Sequence, residues 1–278
     1  MTTGRRALVL GGGGITGIAW EIGMLAGLAE AGIELNDADL VIGTSAGSVV
    51  GARLRCDAPI EELYESQLVD ASGEQATPFG GTVILRYFLA GISPGGAQRA
   101  RAWIGRRAAR VTGPDRRGVF EALLRGADWP EKRFLVTAVE AETGEAKVFD
   151  RDSGVPMIDA VAASCAVPLV WPAVTIDGKH YVDGGLRSPT NADLATDHQQ
   201  VVVLAPVVQA FRRSQRVATL IARLGTGVHA IVVSPDLAAK RAIGRNVLDP
   251  ANRAAAARAG RKQAHAAAPS IAVVWHGL

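Results

Sequence analysis

The chain lacks what a metal site, a disulfide framework or a membrane span would need. Only two cysteines occur among 278 residues, Cys56 and Cys165, far apart and outside any metal-binding spacing. That excludes a disulfide scaffold and fits a reducing, cytoplasmic compartment. The five histidines, His180, His198, His229, His265 and His276, form no His-x-x-x-His pair, so the helical zinc signature is missing. No acidic loop has calcium-ligand spacing, and metal-independent chemistry with no cofactor is expected. No run reaches the roughly 18 uninterrupted apolar residues of a spanning helix. Arg5-Arg6 and the apolar stretch after it imitate a secretion signal, but Glu21 and four consecutive glycines interrupt it, which suits a strand, a loop and a helix better. The charge excess is small, +3 with a pI near 9.1, too little for a nucleic-acid binder. No Pro/Gly/Ser-rich linker divides the chain, and one α/β domain over residues 1–278 is expected.

What is present is concentrated in two successive strand-turn-helix units. Leu40-Val41-Ile42 reads as a buried strand that ends in Gly43-Thr44-Ser45-Ala46-Gly47, with a helix starting at once over 46–53. This is the context of a nucleophile elbow, in which a sharp turn lifts a serine hydroxyl clear of the backbone. Gly43 and Gly47 flank the serine because the turn leaves no room for side chains there. Upstream, Ala7 to Leu10 is a second short strand, followed by Gly11-Gly12-Gly13-Gly14-Ile15-Thr16-Gly17 and a helix to about Ala31, stopped by Gly32. The loop has two readings. Gly12-x-Gly14-x-x-Gly17 has dinucleotide-fingerprint spacing, and the same backbone N–H groups could serve as an oxyanion hole. A Rossmann unit needs an acidic residue at the end of its second strand, where this chain has Thr44 and Ser45; Asp37 and Asp39 lie at the wrong end. The oxyanion reading is therefore preferred.

Gly-Gly-Gly-x-x-Gly closely followed by Gly-x-Ser-x-Gly resembles the patatin-like phospholipases. So does Asp183-Gly184-Gly185 far downstream, with its lead-in Ala160-Val161-Ala162-Ala163-Ser164-Cys165-Ala166-Val167-Pro168. The likeness covers about residues 5–205. It implies a three-layer α/β/α fold with a mainly parallel central sheet. It also implies a serine lipid acyl hydrolase of phospholipase A, lysophospholipase or esterase type, acting on a lipid or fatty acyl ester. In such a dyad Ser45 is the nucleophile, Asp183 the base, and Gly12, Gly13 and Gly14 the oxyanion donors; Gly17, Gly43, Gly47, Gly184 and Gly185 support the turns. Family members often carry Arg or Lys just before the last glycine of the first motif, where this chain has Thr16. Two other classes stay open: a nucleotide-binding Rossmann-like protein, and a catalytically silent patatin-like interaction protein.

The remainder adds context. Residues 59–70 read as an amphipathic helix, and 82–90 as an apolar helix between glycines, either a lid or a core element. Arg99, Arg101, Arg106, Arg107, Arg110, Arg116 and Arg117, with Trp103 among them, form a solvated helix face or a surface for peripheral contact with an anionic membrane. Strands are expected over 132–140 and 146–149, then a helix over 157–166. A hairpin over 173–182 follows, turned by Asp177-Gly178. His180 and Asp183 sit three apart on its second strand and should point to opposite faces, so no histidine is poised to serve Ser45. A strand over 201–205, an Ala/Arg-rich helical part over 210–265 and a last strand over 270–275 complete the reading.

Overall fold

A computed structural model describes residues 4–69, 96–210 and 212–277; the expected apolar helix over 82–90 lies outside them. The strands are β1 (Arg6–Leu10), β2 (Leu40–Thr44), β3 (Arg133–Glu140), β4 (Ala146–Phe149), β5 (Val174–Ile176), β6 (Lys179–Asp183), β7 (Gln200–Leu204) and β8 (His229–Val233). They form one sheet in the order β5-β6-β3-β2-β1-β7-β8, with β4 also on β3. From β3 to β8 neighbouring strands are parallel, while β4, β5 and β6 pair antiparallel. The expected mainly parallel sheet is therefore present, with an antiparallel flank.

The central strands are mostly apolar because helices cover both faces. Leu8, Leu10, Val41, Val202 and Leu204 point into one core layer. Ala7, Val9, Leu40, Ile42, Val201 and Val203 point into the other. The helices are α1 (Gly14–Glu30), α2 (Ala46–Arg55), α3 (Ile60–Leu68), α4 (Gly96–Ala108), α5 (Arg117–Leu124), α6 (Met157–Ser164), α7 (Val217–Ala222), α8 (Leu237–Ile243) and α9 (Arg253–His276). Among the described residues no helix is long and apolar enough to cross a membrane.

Two expectations for the C-terminal part are corrected. Residues 270–275 are not a strand but the end of α9, which continues through Pro269. Ala264, Ala268, Ile271 and Trp275 are all buried, at the spacing of one helical face, and this stripe outweighs the β-preference of Ile-Ala-Val-Val-Trp. The helix crosses α1 at very close range: a Cβ at Gly23 would lie 2.1 Å from the Ala257 carbonyl oxygen, and one at Gly260 2.4 Å from that of Trp20. The second correction is β8, inside the stretch read as helical. It extends the sheet beyond β7, and its short apolar run is hidden among Ala- and Arg-rich neighbours.

The parallel strands bring their carboxyl ends to one edge. β1 lies between β2 and β7, so chain direction across the sheet reverses there, leaving a crevice above its end. The glycine loop leaves β1 and the Ser45 turn leaves β2 at this crevice.

Candidate active site

Ser45 joins β2 to α2 with φ 51° and ψ −115°, a left-handed region a serine occupies only when its surroundings enforce it. The enforcement comes from close packing. A Cβ on Gly47 would stand 2.1 Å from the Leu10 carbonyl oxygen of β1, and one on Gly43 2.5 Å from the Ser48 Cα. The obstacle at position 47 is thus mainly the neighbouring strand rather than Gly43. The Ser45 N–H donates to Ser164 Oγ at 2.9 Å, and its carbonyl accepts from Ser48 Oγ at 2.6 Å and from Cys165 Sγ at 3.3 Å. The end of α6 therefore grips both peptide groups of the turn.

Asp183 reaches Ser45 through strand register. Thr44 of β2 pairs with Thr137 of β3, and the next β3 residue, Ala138, pairs with Asp183 at the end of β6. The carboxyl accepts from the Gly185 N–H at 2.7 Å. Burial pushes its pKa up to about 6, against the pull of hydrogen bonds from the Ser45 hydroxyl and the Gly185 N–H. The Asp183 N–H donates to the Ala166 carbonyl at 3.0 Å.

One residue that sequence reasoning missed ties the two halves together. Asn191 is fully buried, with φ 50°, a conformation asparagine tolerates better than most. Its amide nitrogen lies 3.0 Å from Thr44 Oγ1, 3.2 Å from Thr137 Oγ1, 3.3 Å from the Gly184 carbonyl and 3.0 Å from the Ser188 carbonyl. Its carbonyl oxygen accepts from Arg187 at 2.6 Å, and Arg187 in turn pairs with Asp193. Asn191 thereby links the residue before Ser45 with the residue after Asp183. Only its place downstream of Asp-Gly-Gly could have singled it out in the sequence.

The glycine loop lies against the serine: a Cβ on Gly12 would be 3.5 Å from Ser45 Cβ. Its N–H donors are not equivalent. Gly12 donates to the Pro189 carbonyl at 2.7 Å, so the expected trio of free donors is reduced. Gly13 and Gly14, at the start of α1, meet no acceptor among the described residues, and Gly17 donates to the Gly13 carbonyl at 2.9 Å. Thr16 is buried and turns away, with both its N–H and its hydroxyl on the Val247 carbonyl. Beneath the loop, Glu21 is fully buried without a partner for either carboxyl oxygen among the described residues. Burial holds its pKa well above the usual carboxylate range. The Gly11 N–H opposes this weakly, being already committed to the Leu204 carbonyl at 2.9 Å.

The remaining candidates lie elsewhere. His180 Nδ1 is 2.7 Å from Glu142 Oε1, His198 Nδ1 is 2.7 Å from the Thr196 carbonyl and His265 pairs with Glu30. Among the described residues no histidine hydrogen-bonds Ser45 or Asp183, and no group of His, Cys, Asp and Glu could hold a metal. Asp39 accepts from the Arg6 N–H at 2.7 Å at the amino end of β2, away from the glycine loop. In the arginine run, Arg101 and Arg106 donate to the Gly144 and Glu142 carbonyls, so part of the run fastens α4 to the β3–β4 turn.

The family model "Patatin-like phospholipase" matches residues 8–196. Over 57 residues the chain is 49% identical to lysophospholipase NTE1 of Phaeosphaeria nodorum and 47% identical to lysophospholipase nte1 of Aspergillus oryzae. That stretch is 20% of this chain, and it spans only 4% and 3% of those relatives' lengths. The fold is similar to that of VipD from Legionella pneumophila, with a TM-score of 0.50 and 14% identity over 97% of this chain and 67% of that one.

Proposed function

The chain belongs to the patatin-like phospholipase family, and from that premise we propose that it hydrolyses fatty acyl esters of lipids through a Ser45–Asp183 dyad. The observation that carries the reading is a buried Asp183 carboxyl, one strand position from the pair Thr44–Thr137 that precedes Ser45, with its pKa raised to about 6. A carboxylate with an ordinary pKa near 4 is a weak base at neutral pH; raised to about 6, it is still ionised at pH 7 and better matched to accept a proton.

In the forward step Asp183 takes the Ser45 proton as Oγ attacks the ester carbonyl carbon. The carbonyl oxygen gains the negative charge, and the Gly13 and Gly14 N–H groups at the start of α1 stabilise it. Collapse expels the alcohol, which leaves with the proton held by Asp183. Water then attacks the Ser45 acyl ester, giving its proton to Asp183, and collapse of this second intermediate releases the fatty acid while Ser45 Oγ takes that proton back. The lysophospholipase relatives support lipid esters as the substrate class, over the stretch they share.

The reading takes the chain as one domain, since β8 and α9 complete the same sheet and core. Ser45→Ala should remove lysophospholipid hydrolysis while leaving circular dichroism and melting temperature near wild type. A folded variant that keeps its activity would overturn the proposal.

A further inference from the structure

A cavity of about 370 Å³ is lined by Cys165 and Ala166, which hold the backbone of Ser45 and Asp183, and we propose that Arg116 in its wall binds the phosphate of the substrate headgroup. The inference rests on the lipid-ester reading above and assigns the headgroup side of that site. The cavity borders the backbone of the dyad through two residues of its lining, which itself includes neither Ser45, Asp183 nor the glycine loop. Cys165, in its lining, donates to the Ser45 carbonyl, and Ala166, next to it, accepts the Asp183 N–H.

Arg116 stands just before α5 with its guanidinium 3.8 Å from the Trp171 ring centre and 5.6 Å from that of Phe120. Stacking on rings fixes the plane of the guanidinium and leaves its N–H edges for an acceptor in that plane. Among the described residues no protein acceptor meets those edges, and no carboxylate pairs with the cation. Arg116 is partly buried, and that burial pulls its pKa down from the usual arginine range, a cost an anion in the cavity would relieve.

The other charges around the cavity are accounted for. Arg117 pairs with Asp159 and, at 3.2 Å, with Glu121. Asp115 accepts the Arg117 N–H at 2.9 Å and is exposed, so solvent screens it more than it screens Arg116. A planar fork with free edges suits a phosphate, which can accept two parallel hydrogen bonds. The aromatic and aliphatic wall beside it suits the glycerol and first methylenes of a lipid. Thr16 supplies no charge from the glycine loop, and Arg116 offers one from a different element.

The test compares palmitoyl lysophosphatidylcholine with monopalmitoylglycerol, which has the same acyl ester without phosphate, both below their critical micelle concentrations. Arg116→Gln should lower kcat/KM on the lysophospholipid about 10- to 100-fold, mostly through KM, the range for losing a charged hydrogen-bonding partner. Monoacylglycerol hydrolysis should stay within about twofold, and Arg116→Lys should recover part of the loss. Equal loss on both substrates would make Arg116 a structural or chain-contacting residue, and no loss would empty the cavity of this role; either overturns the proposal. Inorganic phosphate should leave wild-type monoacylglycerol hydrolysis unchanged. An effect of phosphate that disappears in Arg116→Gln would reassign the site to free phosphate. A binding arm needs no turnover: Ser45→Ala should bind the lysophospholipid more tightly than the monoacylglycerol, and Ser45→Ala with Arg116→Gln should lose that difference. Failure of wild type to hydrolyse either ester, with the binding preference intact, would overturn the dyad and leave this site standing.

Discussion

The two members of the candidate dyad are held in place by different means. Ser45 is fixed mainly by close packing: the turn, its two glycines and the start of α2 lie within a few residues, β1 stands against them, and the end of α6 adds hydrogen bonds to both peptide groups. Asp183 is fixed at a distance, by the pairing of β6 with β3, the Ala166 carbonyl and the Asn191 amide. Local close packing specifies a backbone shape and tolerates no added atoms. A long-range polar network specifies a position and depends on every member being present. Ser45 should therefore respond to changes in volume, and Asp183 to changes in hydrogen bonding.

The largest effect is expected at Asp183, the proposed base. Asp183→Asn should lower kcat by about 10²- to 10⁴-fold, the usual worth of a general base, with little change in melting temperature because the amide oxygen can still accept from Gly185. Steady-state kinetics with thermal denaturation would separate the two quantities. Next comes the network. Asn191→Ala leaves Thr44, Thr137 and the Gly184 carbonyl without their shared donor, and should cost about 1–3 kcal/mol of stability together with about a 10-fold or larger loss in kcat at nearly constant KM. If Asn191→Ala lost stability alone, the clamp would hold the fold without positioning the base. Ser164→Ala, which removes one acceptor from the locally packed side, should cost less of both.

This contrast also explains what was legible in the sequence. The Ser45 turn and the glycine loop are short-range features, and their strands and helices form where the apolar runs and glycines put them. Asp183 stands in the sequence by its motif and at the end of a hairpin turned by Asp177-Gly178, both residues having positive φ. Asn191, Ser164 and the Pro189 carbonyl that occupies the Gly12 N–H were not legible, because their roles arise only when distant segments meet. The same reason accounts for the end of α9: Ile271 to Trp275 has strand-like composition, and only packing against α1 shows that its period is helical.

The pH dependence sharpens the comparison further. Asp183 must be ionised to accept the Ser45 proton, so kcat/KM should rise with pH through an apparent pKa of about 6 and level off above it. An acid limb near 4 in the free enzyme would mean that the base is not enclosed as described. The smallest expected effect is at Glu21, whose pKa is raised in the fold. Its carboxyl ionises near 4.5 when unfolded and only at higher pH when folded, because burial disfavours the charge. Its contribution to stability is therefore complete below that value and is lost as pH rises toward the higher folded pKa. Glu21→Gln should accordingly gain melting temperature relative to wild type as pH goes from 4 to 8. A difference independent of pH would mean that Glu21 is charged in the folded protein.

The central claim, a serine activated by an aspartate without a histidine, is tested most directly by the rate at which a fluorophosphonate labels Ser45 in wild type and in Asp183→Asn, with the adduct located by mass spectrometry. The account predicts a single adduct at Ser45, a wild-type rate that rises with pH through about 6, and a loss of about 100-fold or more in Asp183→Asn. Labelling of Asp183→Asn at the wild-type rate would contradict it.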